Sequence, residues 1–112
     1  MRLIAIVLLL LFGVSAETSA QPHNYIYIGF GGDSCGKWIE ARARGQSVGM
    51  QYWVLGYISG VNTFRAEGND FLKEVDAAAT FGWLDNYCRS QPLDPFAVAV
   101  NKLTAELKIR AH

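Results

Sequence analysis

The chain is poor in the residues that most often carry chemistry. It has two cysteines, two histidines and three prolines in 112 residues. No Cys-x-x-Cys spacing occurs, and His23 and His112 both lie in the terminal segments. A thiol–imidazole metal site and a Ser-His-Asp triad therefore have no core residues to draw on. No catalytic, metal-binding or cofactor-binding residue is assigned, and the chain reads as a non-enzyme. Net charge is also missing, with ten Lys and Arg against ten Asp and Glu. Arg2 and Glu17 fall in the leader, which leaves nine of each from Gln21 onward and no basic block. Nucleic-acid binding gains no support from that balance. The one continuous apolar run, Leu3 to Phe12, is shorter than the roughly 20 residues a bilayer-spanning helix needs. Stable membrane insertion is not expected.

That short run has another use. Arg2 supplies a positive start, and Val14-Ser15-Ala16 and Thr18-Ser19-Ala20 offer small residues for cleavage. Residues 1–20 read as a secretory signal peptide, cut after Ala16 or Ala20. The exported part keeps all three Trp and all five Tyr, enough for a small core. At this size a core is marginal without a covalent staple.

Residues 21–32 form an extended arm. Tyr25-Ile26-Tyr27-Ile28-Gly29-Phe30 alternates aromatic and aliphatic side chains, as a short strand or a docked arm would. Gly31-Gly32 interrupts it. From residue 33 to 112 the pattern turns helical, and four helices are expected. The first is capped by Asp33 or Ser34 and stopped by Gly45. The second runs from Ser47 or Gly49 to Phe64, with Met50, Trp53, Val54, Tyr57, Val61 and Phe64 at helical spacing. It is the most apolar segment and is expected at the centre. Gly56 and Gly60, one turn apart on it, would let a neighbour approach closely. Residues 65–73 are turn-rich and read as the freest loop. The third helix follows Asp76 as cap and ends before Pro92. The fourth takes Asp94 as cap and Pro95 as its first residue.

Two cysteines in an exported chain make one disulfide the default. Cys35 opens the first helix and Cys88 closes the third, so the pair meets if those helices run antiparallel. Closing a loop of about fifty residues stabilises a fold by roughly 4 kcal/mol on the chain-entropy model. The three expected aspartate caps, Asp33, Asp76 and Asp94, point to acid sensitivity, since a lost cap costs about 1 kcal/mol. In strong acid the carboxylates are neutral while Lys, Arg and His stay positive, and the chain repels itself. Asp70, Glu74 and Asp85 read as loop solvation and exposed helix face.

Ser34-Cys35-Gly36-Lys37-Trp38, a Trp/Tyr-rich second helix, the stretch Trp83 to Pro92 with Tyr87-Cys88-Arg89-Ser90-Gln91-Pro92, and a last amphipathic helix together resemble the HdeA/HdeB family of periplasmic acid-stress chaperones. The resemblance spans about Cys35 to Leu107. It implies an all-α, four-helix domain stapled by one disulfide, Cys35–Cys88, located in the periplasm. It also implies an acid-activated holdase whose partners are unfolded or acid-stressed periplasmic proteins. Trp38, Trp53, Tyr57, Phe81 and Trp83 would then be the client surface once the domain opens. A homodimer would fit the family. Leu55-Gly56-Tyr57-Ile58-Ser59-Gly60-Val61-Asn62 is similar to the core helix of Tai-type immunity proteins. That second likeness implies a binding protein that inhibits a secreted cell-wall amidase toxin, with the loop Arg65 to Lys73 as its surface.

Overall fold

The computed structural model describes residues 25–111. The expected signal peptide at 1–20, the first residues of the expected arm and His112 lie outside the described residues. The described part is all-α, with α1 at Cys35–Ala43, α2 at Val48–Arg65, α3 at Ala77–Ser90 and α4 at Phe96–Arg110. A single 3-10 turn, Phe30–Gly32, precedes α1. The arm before it is extended but joins no sheet among the described residues. The one β-bridge there pairs Ser34 with Pro95. Among the same residues no helix is long and apolar enough to cross a membrane.

Local chemistry sets the helix ends. Ser34 is the cap of α1, its Oγ accepting from the Lys37 amide at 3.2 Å. Gly45, at φ 65°, stops the helix in the left-handed region that a side chain disfavours. Asp76 caps α3, accepting from the Ala79 amide at 2.7 Å. The other two expected aspartate caps are corrected. Asp33 stands one residue too early, with its carboxylate 3.7 Å from Lys37 Nζ. At α4 the cap position is Pro95, with no side-chain cap bond, so neither Asp94 nor Pro95 holds its expected place. The reason lies in the bridge. Phe96 N donates to the Asp33 carbonyl at 2.6 Å, and Cys35 N donates to the Asp94 carbonyl at 2.8 Å. Each helix start satisfies the other's free amide through the main chain, so no carboxylate is needed there.

The disulfide joins Cys35 and Cys88 with Cα atoms 4.8 Å apart. One turn into α1, Trp38 meets Asp85, and two turns in, Arg42 lies over Phe81. The helices are therefore antiparallel. The core is formed by Trp38, Leu84, Val54 and the disulfide, closed by Phe96, Val100 and Leu103 of α4, all at most 1% exposed.

The expected centre was α2; the observed centre is α4. It buries Phe96, Ala97, Ala99, Val100, Leu103, Thr104 and Leu107, whereas α2 buries only Met50, Val54 and Ile58. Apolar residues encircle α2, so most cannot face inward at once, and Phe64 stays 87% exposed. Alanines at 97 and 99 let neighbours close on α4 instead. Nor do Gly56 and Gly60 admit a neighbour, since a Cβ at either would meet nothing within 4 Å. The close approach is at Gly49, where a Cβ would lie 2.9 Å from the Phe30 ring.

Candidate functional site

The chemistry with most cross-links sits between α1 and α3. Asp85 Oδ1 accepts from Trp38 Nε1 at 2.8 Å and from Arg42 Nε at 3.0 Å. Its Oδ2 accepts from Arg42 Nη2 at 2.9 Å. The Arg42 guanidinium also lies over the Trp38 ring at 5.5 Å and the Phe81 ring at 5.9 Å. The bonds to Asp85, above all, raise the Arg42 pKa further, against the opposing effect of burial. The Asp85 side chain is only 15% exposed. It is thus an interhelical tie and not the free helix face expected of it. The disulfide register could have located it, because 38 is three beyond 35 and 85 is three before 88. Antiparallel helices bring such positions opposite one another.

The five aromatics proposed as a client surface fall into three groups. Trp38 is fully buried, stacked on Phe96 at 5.1 Å and tilted against Phe81 at 6.0 Å. Trp53 and Tyr57 stack on each other at 5.2 Å on α2 and are partly buried. Phe96 connects these two groups, with its ring 6.0 Å from Trp53. Trp83 stands apart and stacks on Tyr87 at 5.5 Å. The folded chain therefore offers no single aromatic face.

Beside the second group lies Tyr27, which the sequence pattern marks only as part of the arm. The Tyr27 ring packs against both Trp53 and Tyr57. Its hydroxyl accepts from Asn101 Nδ2 at 3.1 Å, and Asn101 Oδ1 accepts from the Tyr57 hydroxyl. Burial first, then the Tyr27 phenol, push the Tyr57 hydroxyl pKa up. In the third group the Tyr87 hydroxyl donates to Asp94. That bond is the main reason its pKa is pushed up to about 12, with desolvation second. Asp94 thus fixes the end of α3 instead of capping α4.

The loop at 65–73 is held rather than free. Asn62 donates to Asp70 Oδ1 at 2.8 Å and accepts from the Phe71 amide at 3.0 Å. Phe71 is 3% exposed and belongs to the core. The loop walls an open groove of about 520 Å³ floored by Phe71, Val75, Trp83, Leu103 and Leu107. Lys73 and Glu74 stand at its rim, beside the Glu106–Arg110 ion pair. Among the described residues no three His, Cys, Asp or Glu side chains gather as metal ligands would.

Compared with protein-family models, characterised proteins and solved structures, the chain matches none.

Proposed function

We propose that the exported chain is a non-enzymatic protective protein of the periplasm, an acid-opened holdase of the kind its resemblance to the HdeA/HdeB family implies. One observation carries the reading. The α1–α3 pair is tied twice over the same aromatic core, once by a disulfide and once by the Asp85 carboxylate. The first tie is covalent and indifferent to pH, whereas the second is electrostatic. Arg42 lies over two aromatic rings with Asp85 as its ion-pair partner. The Asp76 cap and the acceptors Asp70 and Asp94 are further carboxylate ties within the fold. In strong acid nine Lys and Arg stay charged in the exported part while nine Asp and Glu become neutral, so the elements repel one another. The helices loosen around a surviving disulfide, and Trp38, Phe81, Trp53 and Tyr57 become an apolar surface for unfolded clients.

The test is light scattering of an aggregating client with the oxidised, signal-free protein. It is run at neutral pH and at about pH 2 to 3, below the ordinary carboxylate values. Suppression confined to acid is the expected result. Absence of suppression at both values removes the reading. A second reading, an immunity-type inhibitor of a secreted cell-wall amidase, is favoured by the preformed groove at residues 69–76. It requires one tight partner at neutral pH, and substitutions at Lys73 and Glu74 would weaken that complex.

A further inference from the structure

The described part of the arm, residues 25–32, lies on α2 and α4 as a bound peptide would. Ile26 and Ile28 are 93% and 91% exposed, while Tyr27 between them is half-buried. The Tyr27 ring is edge-on to Trp53 at 6.4 Å and tilted to Tyr57 at 6.3 Å. Asn101 holds its hydroxyl at 3.1 Å. The next carbonyl, of Ile28, accepts from Trp53 Nε1 at 2.9 Å. Gly29 follows at φ 88°, where a side chain would be strained and its Cβ would meet the indole at 3.0 Å. Gly31 is closer still, since a Cβ there would lie 2.6 Å from the Trp53 ring.

Against Trp53 the arm sets the Tyr27 ring, the Ile28 carbonyl and two glycines, and beyond them the Phe30 ring lies on Gly49 of α2. A segment serving only as core would turn its isoleucines inward, and this one turns them out. The main-chain bonds that tie α1 to α4 begin after the arm. Asp33 is fixed through its carbonyl to Phe96 N at 2.6 Å, and Gly32 before it stands in open space. The arm up to Gly29 can therefore lift while the Phe30–Gly32 turn stays on Gly49 of α2 and the Asp33 bridge holds the start of α4.

We propose that Trp53, Tyr57 and Asn101 form a binding site for extended peptides carrying an aromatic residue two places before a glycine, and that the arm is its resident occupant. Tyr27-Ile28-Gly29 supplies that pattern in the same chain. The site shares Trp53 and Tyr57 with the proposed client surface but needs no acid opening and works at neutral pH. An outside peptide competes with a tethered one, so its apparent affinity is reduced by the fraction of time the cradle stands open. An open fraction of about one in a hundred weakens binding about 100-fold.

The experiment uses the full exported chain at neutral pH and a fluorescent peptide with the sequence Tyr25 to Gly32, followed by anisotropy. Tyr27→Ala removes the resident ring, and Gly31→Val pushes the arm off Trp53 by a different route. Each variant is first checked for unchanged helix content. Both are expected to bind the peptide at least about tenfold more tightly than the unaltered chain. A peptide with alanine in the Tyr27 place should not bind, and Trp53→Phe in the released chain should weaken binding. Folded variants that bind no better than the unaltered chain overturn the proposal. So does a concentration-dependent dimer of the unaltered chain that Tyr27→Ala dissolves, since the cradle would then serve the arm of a second copy.

Discussion

Asp85 holds two donors of very different character. Trp38 Nε1 belongs to a fully buried residue and has no water to turn to, whereas the Arg42 side chain is 34% exposed. Asp85→Ala strands the indole N–H, which costs about 1–3 kcal/mol. Asp85→Asn retains an acceptor and loses less. Urea denaturation at neutral pH should rank the chains in that order, with equal slopes. Tyr87 makes the corresponding case at alkaline pH. Its pKa rises from 10.0 to about 12 in the fold because its hydroxyl donates to Asp94. A raised acid favours the protonated form, so this contribution is complete below the unfolded value of 10.0 and is lost as the pH climbs through about 12. Tyrosinate absorbance should show a late phenol that Asp94→Asn brings to lower pH. Glu67, at φ 53°, is the only non-glycine at positive φ among the described residues. Glu67→Gly should relieve that backbone at a gain of about 0.5–1 kcal/mol, read as a raised melting temperature.

Helices were legible where a local rule acts alone. Ser34, Gly45 and Asp76 act at helix ends as their chemistry dictates. Asp94 misled because a main-chain bridge from a distant segment already satisfied the start of α4, and no local pattern records that. The α2 helix misled for another reason. High apolar content does not make a helix central, because apolar residues spread around a helix cannot all be buried, and the alanines of α4 signal close packing better than bulk does. Glycine makes the difference measurable at this scale. Gly56→Ala and Gly60→Ala add a Cβ in open space within a helix and should each stabilise by up to about 1 kcal/mol. Gly49→Ala sets its Cβ 2.9 Å from the Phe30 ring and should destabilise, or detach the 3-10 turn. Thermal melts of the three variants should split by sign.

At the scale of the whole molecule, the disulfide and the carboxylates divide the work of holding the helices. The aromatic groups that would serve as client surface are dispersed in the fold, so their positions in the sequence told of a core and not of a site. Only a global loosening can bring them to one surface, and how far it goes depends on the cross-link. In acid the oxidised chain should expand yet stay well short of the roughly 29 Å radius of gyration expected for an unfolded chain of this length. Cys35→Ser with Cys88→Ser removes a constraint worth roughly 4 kcal/mol on the chain-entropy model. That variant should approach the unfolded radius at the same pH and should melt earlier at neutral pH. Small-angle scattering of both chains across the acid range measures the difference directly. Equal radii in acid would mean that the disulfide does not hold α1 to α3 once the carboxylates are neutral. The acid-opened client surface would then have to form without a fixed frame, and the holdase reading would lose its mechanical basis.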